Sequence, residues 1–344
     1  MMGAGEESGA GRGSGVEGGS GAGEESGAGR ASGSGVGGAS GAGVGSGVDR
    51  QGRDLPLDAH VHTDQSPDSN VPIDVYAALA LERGISELAI TDHVDFDRRD
   101  PAYDYVAFSE RERTVRAAAE RWAPLGVQIR FGAELTYHRA WESALRDHVR
   151  RHRYDYTIGS VHDWPDSPYT PSRVGTWASG RPIDEVVAPY FDEIVAAARS
   201  GLFDTIGHLD VVKRYLYPHL TPGDLARHPE VLDAALSAIA ASGVALEVNT
   251  SGLRHRVLET YPATWAVVRF RELGGRNVIA GSDAHRSEWL AWGLEDGYRA
   301  LLEVGFASLA FRRGAETVQV EVPERLRLPG ASSRGHNAMG SSSL

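Results

Sequence analysis

Two observations in the sequence predict an α/β fold in which parallel strands close into a barrel. Seven short apolar runs alternate with segments of helical pattern, and this alternation is typical of parallel strand pairing. Histidine or acidic residues stand at the ends of six of the seven runs. An open doubly wound sheet would spread these strand ends far apart, whereas a closed barrel brings them together at one face.

The predicted elements begin at residue 55 and end at residue 303. Apolar runs predict strands at about residues 55–61, 86–91, 127–134, 155–161, 203–208, 244–249 and 277–282. The first helix is predicted to begin near Pro72, with Ser69 or Asn70 as its cap, and to end at Gly84. Helical patterns follow at residues 108–122, 139–151, 183–200, 229–242, 262–273 and 288–303. Residues 51–325 therefore have the size of a single barrel, which typically needs about 250 residues.

Both ends of the chain are predicted to lie outside the fold. Residues 1–50 hold 20 of the 42 glycines, and the segment 3–12 recurs at 21–30. This composition cannot bury apolar area, so we expect a disordered extension that is dispensable, with a functional tether as the alternative. It lacks the apolar region of a signal peptide. Residues 326–344 are predicted to form a flexible tail because they are rich in serine and glycine.

Composition limits the classes of function. No run approaches the about 18 apolar residues of a membrane span, so no membrane contact is expected. The absence of cysteine excludes disulfides and thiolate-bound metal, and it fits a cytoplasmic protein. The net charge is −12, and removal of residues 1–50, with six acidic residues and three arginines, leaves −9. This balance disfavours nucleic-acid binding, which needs cationic groups against phosphates. The oligomeric state is left open.

The residues at the strand ends are of the types that bind metal ions. His60 and His62 lie two residues apart in an extended segment, so both imidazoles can contact one ion. Asp283 and His285 repeat this spacing after the last predicted strand. Glu134 could bridge two cations through its two oxygens. Several ligand-bearing strand ends in one chain predict a site for more than one metal ion.

The motifs at these strand ends together resemble a known family. They are His60-Val61-His62, Thr91-Asp92-His93, Gly132-Ala133-Glu134, Ser160-Val161-His162, Gly207-His208-Leu209-Asp210 and Gly281-Ser282-Asp283-Ala284-His285. This set resembles the polymerase-and-histidinol-phosphatase (PHP) superfamily over residues 55–325. The segments 66–69, 207–215 and 247–254 resemble the histidinol-phosphatase branch of that superfamily.

The resemblance implies a distorted (β/α)7 TIM-like barrel with three divalent metal ions, which we expect to be Zn, Mn or Fe. It assigns His60, His62, Glu134 and Asp283 to the first ion. Glu134 bridges to a second ion, which His162 and His208 complete. The third ion has the ligands Asp68, His93 and His285. Asp68 is a departure from the pattern, because some relatives have histidine there. Asp92 and Asp210 are candidates for orienting imidazoles, with a structural role as the alternative.

The resemblance also implies phosphate-ester hydrolysis in histidine biosynthesis, with L-histidinol phosphate as the substrate. We expect a metal-bridging hydroxide to attack phosphorus, so no covalent phosphoenzyme is needed. The expected catalytic residues are Glu134, Asp283, His208 and Arg214. The expected substrate-binding residues are Arg214, Arg254 and Asn249, because guanidinium suits bidentate phosphate binding.

Three other functions fit parts of the pattern. A related phosphoesterase would use the same ligands on nucleotide or sugar phosphates, and only the substrate loops would differ. A nuclease is disfavoured by the negative charge and by the lack of a polymerase module. A non-catalytic metal-binding module is disfavoured because no ligand is missing.

Overall fold

The computed structural model describes residues 55–164 and 166–326, and these residues form a nearly closed barrel built mainly of parallel strands. The predicted disordered extension at residues 1–50 lies outside the described residues. So does the predicted tail at 326–344, except for Leu326, which is buried in the last short helix.

Seven strands form the barrel in the order in which they occur along the chain, apart from one short addition. They are β1 (Asp58–Val61), β2 (Glu87–Ile90), β4 (Gln128–Thr136), β5 (Tyr156–Ser160), β6 (Thr205–Ile206), β7 (Ala245–Asn249) and β8 (Val278–Gly281). The addition is β3 (His93–Val94), which pairs with the carboxyl-terminal half of β4. All these pairs are parallel. The predicted fold class is therefore confirmed.

The barrel closes where the chain that leaves β8 meets β1. Val61 forms a parallel bridge with Ala284. The His62 amide donates to the Ala284 carbonyl at 2.9 Å, and the Asp283 amide donates to the His60 carbonyl at 2.9 Å. These bonds satisfy backbone groups that an open sheet edge would leave unpaired. Closure thus joins the first and last strands at the residues predicted to bind metal.

Helices surround the barrel. They are α1 (Ile73–Arg83), α2 (Phe108–Trp122), α3 (Glu142–Arg151), α4 (Val174–Ala178), α5 (Ile183–Ser200), α6 (Val212–Leu216), α7 (Pro222–Arg227), α8 (Asp233–Ser242), α9 (Thr264–Glu272) and α10 (Leu294–Val304). In α5, Val186, Tyr190 and Ile194 recur every four residues and are fully buried. Each such side chain contributes about 1.5–3 kcal/mol through burial. None of the described helices is both long and apolar enough to cross a membrane.

The predicted cap of the first helix is wrong. Pro72 occupies the N-cap position and provides no side-chain cap, while the Ser69 hydroxyl donates to the His62 carbonyl at 2.9 Å. The hydroxyl therefore stabilises the loop after β1, and the N-terminus of α1 has no side-chain cap. The predicted end at Gly84 is confirmed, with φ 69° at that glycine.

A hairpin that the apolar pattern did not predict covers the amino ends of the strands. It consists of β9 (Ser308–Arg313) and β10 (Glu316–Glu321), in which buried and exposed side chains mix. Arg313 contacts Glu87 at the start of β2, and the Gly314 amide donates to the Asp155 carbonyl before β5. The hairpin therefore lies at the end of the barrel opposite to the predicted metal ligands.

We predict that Gly159→Ala destabilises the barrel. A Cβ on Gly159, inside β5, would overlap the ring of Phe203, which is buried. Overpacking of this kind costs about 1–3 kcal/mol of the free energy of unfolding, which urea denaturation measures. Gly223→Ala is the control, because its nearest neighbour is a flexible Arg227 nitrogen at 3.4 Å. Equal stability of the two variants would contradict this account of the packing.

Candidate metal centre

The nine predicted ligands come from different elements, and the structure brings them to the carboxyl end of the barrel. His60 and Glu134 lie inside strands, whereas the others lie in β3 or in the loops that follow strands. The set is His60, His62, Asp68, His93, Glu134, His162, His208, Asp283 and His285. Because parallel strands share one carboxyl edge, residues more than 200 positions apart become neighbours.

Glu134 lies at the centre of the cluster and contacts five imidazoles. Its Oε2 lies 3.4 Å from His60 Nε2, 3.4 Å from His62 Nε2 and 3.0 Å from His93 Nδ1. Its Oε1 lies 3.3 Å from His162 Nε2 and 2.8 Å from His208 Nε2. Each oxygen therefore faces a different group of histidines, which is the arrangement a bridging carboxylate needs.

Two aspartates complete the cluster on the side of the last strand. Asp283 Oδ1 lies 3.7 Å from His60 Nε2 and 3.4 Å from His62 Nε2. Asp68 Oδ2 lies 3.3 Å from His93 Nε2 and 3.0 Å from His285 Nε2. Asp68 is therefore positioned for the role that the resemblance gives it, although histidine occurs there in some relatives.

The donor atoms fit divalent cations. Three groups have ligand atoms that all lie within 4.8 Å of one another: His60, His62 and Asp283; His62, Asp68, His93 and His285; and His93, Glu134 and His162. Ligands bound tetrahedrally at 2.0–2.2 Å lie about 3.4 Å apart, close to the separations around Glu134. The buried Nε2 atoms of His60 and His62 have no hydrogen-bond partner among the described residues. A cation would satisfy these nitrogens.

The electrostatics of the cluster favour anionic carboxylates. Burial raises the pKa of Glu134, but the charges of His93 and His60 hold it well below its ordinary value. Asp283 behaves in the same way, since burial raises its pKa and His60 lowers it well below the usual range. Burial and the neighbouring His285 lower the pKa of His62 to about 3. Burial opposes protonation of His162, but the charge of Glu134 raises the pKa of this imidazole to about 9, so metal binding would displace a proton from the ring.

A buried glutamate that we did not single out from the sequence holds two of the histidines. Glu247 is fully buried on β7, and its Oε1 lies 2.7 Å from His60 Nδ1. Its Oε2 accepts the His208 amide at 2.7 Å. The carboxylate thereby fixes the His60 ring so that Nε2 faces Glu134. The sequence signals were a charged residue inside an otherwise apolar strand and its place at the start of the segment 247–254, which resembles the histidinol-phosphatase branch.

Hydroxyl groups orient two other imidazoles. Ser66 Oγ lies 3.3 Å from His62 Nδ1, and Thr136 Oγ1 lies 3.4 Å from His162 Nδ1. In both rings the Nδ1 atom faces the protein and the Nε2 atom faces Glu134. Polar partners outside the cluster therefore fix the orientation of these rings, with Nε2 towards Glu134.

Asp58 anchors the closure of the barrel behind the cluster. It is fully buried, and its oxygens accept the Ser282 amide at 2.8 Å and the Ala291 amide at 3.0 Å. It also accepts the Ser282 hydroxyl at 2.5 Å. These bonds hold the turn that carries Asp283, whose φ of 54° is unusual for a residue other than glycine. Asp58 is a second positioning residue that the sequence reasoning missed.

Close approach of the strands requires glycine just before a ligand. A Cβ on Gly281 would overlap the Cβ of His60 and lie 2.8 Å from Glu247 Oε1. A Cβ on Gly207 would lie 2.6 Å from Ser160 Oγ. Both positions precede a ligand by one or two residues, so small side chains let the ligand-bearing backbones pack against each other.

Asp92 and Asp210, candidates for orienting imidazoles, bind other groups. Asp92 accepts the Thr63 amide at 2.6 Å and the Thr63 hydroxyl. Asp210 contacts Lys213 Nζ at 2.9 Å, and the same buried ammonium contacts Glu259 Oε1 at 2.7 Å. Their role is therefore structural: they hold the loops after β1 and β6. Lys213, the one lysine of the chain, is buried and pairs with the carboxylates of Asp210 and Glu259.

A cavity of about 830 Å³ opens above the cluster. Glu134, Asp283 and His208 line it together with Arg214. The Arg214 side chain is exposed and has no hydrogen-bond or ion-pair partner among the described residues. The cavity therefore combines the candidate metal ligands with a free guanidinium, which suits an anionic group.

Arg254 and Asn249, the other two predicted substrate-binding residues, form hydrogen bonds with groups of the protein itself. The Arg254 guanidinium donates to the Ser282 and Asp283 carbonyls, each at 3.0 Å, and lies 4.7 Å from the Trp289 ring. Asn249 is fully buried, and its Nδ2 donates to Glu247 and Asp283. Their contacts with a substrate stay predictions, and their observed contacts stabilise the turn that carries Asp283.

Comparisons with known proteins agree with this geometry. A family model described as "PHP domain" matches residues 58–251. The chain is 31% identical over 271 residues to a "probable histidinol-phosphatase" of Deinococcus radiodurans, covering 74% of this chain and 96% of that protein. It is 25% identical over 266 residues to a "histidinol-phosphatase" of Lactococcus lactis, covering 74% of this chain and 93% of that protein.

A solved structure shares the fold. It is the histidinol phosphate phosphatase of Lactococcus lactis in complex with Zn, L-histidinol and phosphate. The TM-score is 0.66 at 22% identity, and the match covers 76% of this chain and 98% of that chain. The chain belongs to the PHP domain family, and the resemblance to its histidinol-phosphatase branch is confirmed.

We predict that Glu247→Gln weakens metal binding while the barrel stays folded. An amide is a weaker partner for His60 than a carboxylate, and loss of such a partner typically lowers metal affinity by about 10- to 100-fold. Competition with a chromophoric chelator measures the affinity for Zn or Mn. Glu87→Gln is the matched control, because Glu87 is a buried strand glutamate that pairs with Arg130 and Arg313 away from the cluster. Unchanged metal affinity in Glu247→Gln would contradict its positioning role.

Proposed function

We propose that this member of the PHP domain family is a metal-dependent histidinol-phosphatase. It hydrolyses L-histidinol phosphate to L-histidinol and phosphate in histidine biosynthesis. The observation that carries the proposal is the contact of one buried carboxylate, Glu134, with five imidazoles at the base of a cavity that also exposes Arg214. Relatives that match this chain over most of their length have the same name.

Three divalent ions, Zn, Mn or Fe, are proposed for the cluster. We assign His60, His62, Glu134 and Asp283 to the first, Glu134, His162 and His208 to the second, and Asp68, His93 and His285 to the third. Such ions neutralise charge on a phosphoryl group and lower the pKa of bound water from 15.7 towards ~7. The orientation of both Glu134 oxygens towards different histidines supports the bridging assignment.

The chain's own residues provide the rest of the proposed chemistry. Glu134 and Asp283 stay anionic, because their pKa values lie well below the ordinary range despite burial. His208, held through its amide by Glu247, contacts Glu134 from the cavity side. Arg214 binds the phosphate dianion and stabilises the charge that develops on its oxygens during hydrolysis.

Part of the cavity wall is acidic, and this favours a substrate that also carries a positive charge. Asp95, Asp100 and Asp163 line the cavity near His93 and His162. L-histidinol phosphate has an amino group besides its phosphate, so its two charges match these carboxylates and Arg214. Nucleotide and sugar phosphates would use the same ligands and Arg214, but they present no ammonium to these carboxylates.

A small molecule is the proposed partner. The acidic wall and the net charge of −12 oppose a polyanion, which supports the expectation that nucleic acid is not bound. The cytoplasmic location expected from the sequence stays a prediction.

The substrate assignment predicts a ranking of phosphate release. The purified protein should hydrolyse L-histidinol phosphate at least about tenfold more efficiently, in kcat/KM, than a nucleoside monophosphate or a sugar phosphate. Elemental analysis of the same sample identifies the metals. The double variant Asp100→Asn and Asp163→Asn should reduce this preference without reducing hydrolysis of the sugar phosphate. A higher kcat/KM for the nucleotide or the sugar phosphate would favour the related phosphoesterase.

Removal of the bridging carboxylate should abolish turnover. In Glu134→Ala the first and second proposed ions lose their shared ligand, so we expect kcat to fall by roughly 1,000-fold or more while circular dichroism stays that of a folded barrel. Chelation of the wild-type protein should have the same effect, and added Mn, Zn or Fe should reverse it. A kcat within tenfold of the wild-type value would rule out the bridging role.

Arg214→Ala should leave metal content unchanged and reduce kcat/KM by roughly 100-fold, because a charge-assisted bond to phosphate is lost where charge develops. Arg214→Lys should recover only part of the loss, since an ammonium cannot make the two-pronged contact. Arg227→Ala, on the exposed face of α7, is the control. Near-wild-type kcat/KM in Arg214→Ala would make Arg254 the leading phosphate ligand.

A further inference from the structure

A second cavity, of about 600 Å³, lies on the other side of β3 from the catalytic cavity. The segment that follows β3 and the facing ends of α2 and α3 form its walls. It shares His93, Asp95 and Ala102 with the catalytic cavity, so this segment separates the two spaces. Cavities of this volume hold small organic ligands.

Arg111 is a buried cation in the wall of this second cavity. Its side chain is 5% exposed, and its Nη2 donates to the His93 carbonyl at 2.8 Å. Within residues 55–164 and 166–326, no carboxylate lies within ion-pair distance of this guanidinium. A buried charge without a counter-ion is unfavourable. The remaining N–H groups of Arg111 are therefore available to an anion.

Flat rings form much of the wall around Arg111. The Phe108 ring stacks on His152 at 4.1 Å, and the Phe96 ring meets His148 edge-on at 5.5 Å. Burial, together with the charges of His152 and Arg111, lowers the pKa of His148 to about 4, so this imidazole is neutral at physiological pH. The wall therefore presents uncharged rings beside one buried positive charge, and planar ligand rings can stack there.

The acidic residues of the second cavity do not neutralise Arg111. Asp147 binds Arg150 at 2.6 Å, and Asp95 accepts the Asp97 amide at 2.7 Å. Asp104 is exposed. Arg98 and Arg151 are also exposed, so the cavity has three aspartates and, with Arg111, three arginines. The charges that line the cavity therefore sum to zero, and Arg111 is the buried cation among them.

We propose that the second cavity is a binding site for a small organic anion with a planar ring, whose carboxylate or phosphate pairs with Arg111. The site is separate from the proposed catalytic centre and does not depend on its substrate. Arg111 also donates to the carbonyl of His93, which is itself a proposed metal ligand. A single residue, Arg111, would therefore contact both the bound anion and the backbone of that ligand.

Calorimetric titration of the full-length, metal-loaded protein with benzoate tests the proposal. Benzoate has the ring and the carboxylate, and benzamide is the neutral probe of the same shape. We expect benzoate to bind the wild type at least about tenfold more tightly than benzamide, since only the carboxylate pairs with a guanidinium. Arg111→Gln should weaken benzoate binding by at least about tenfold.

Three further variants separate this site from others. Ala144→Trp, on the exposed surface of α3 at the cavity wall, should block benzoate by occupying the space, and it keeps the test valid if Arg111→Gln does not fold. Arg113→Gln, an exposed position on the same helix as Arg111, and Arg214→Ala should bind benzoate like the wild type. Absence of binding to the wild type, equal affinity in Ala144→Trp, or loss of affinity only in Arg214→Ala would overturn the proposal.

Discussion

The burial of Glu134 is the constraint on which the rest of the structure depends. A carboxylate that is 1% exposed loses its hydration, and the loss costs several kcal/mol unless partners replace the water. The partners here are five imidazoles and no lysine or arginine within ion-pair distance among the described residues. A neutral imidazole does not cancel the charge of a carboxylate. The charge is cancelled when the imidazole is protonated or when both groups bind the same cation. The interior of the barrel mouth is therefore arranged for positive charge, which protons on the histidines or bound cations would supply.

The same buried acids that support the candidate metal centre also close the barrel. Asp58 joins β1 to the turn after β8, and Glu247 links His60 on β1 to the His208 amide after β6. Neither carboxylate faces the cavity, yet both fix atoms that do. Architecture and site consequently share buried acids in this protein: Asp58 supports the closure and the turn that carries Asp283, and Glu247 supports the orientation of His60 and the position of His208.

The sequence was sufficient for the barrel, and short local patterns also placed most of the candidate ligands at strand ends; Asp68 came from the family resemblance alone. An apolar run followed by histidine or an acid specifies a strand end, and parallel topology brings the strand ends together. The role of Glu247 could not be predicted in this way, since its partners His60 and His208 are 187 and 39 residues away. The hairpin at residues 308–321 was missed because its exposed strand lacks an apolar run.

Side-chain direction was also beyond the sequence. Arg214 and Arg254 each follow a strand end by five or six residues, so the sequence pattern does not distinguish them. In the folded chain Arg214 is exposed on the cavity, whereas Arg254 is half-buried against Trp289 and bonded to two carbonyls. Loop conformation decides this difference, and no periodic pattern encodes it.

The most direct test of the account is a crystal structure of the protein grown with Mn or Zn, with the ions located by anomalous diffraction. The account predicts ions on both sides of Glu134, with Oε1 and Oε2 bound to different ions and the Nε2 atoms of His60 and His62 bound to the ion on the Oε2 side. An ion-free cluster, or a single ion held by both Glu134 oxygens, would contradict it.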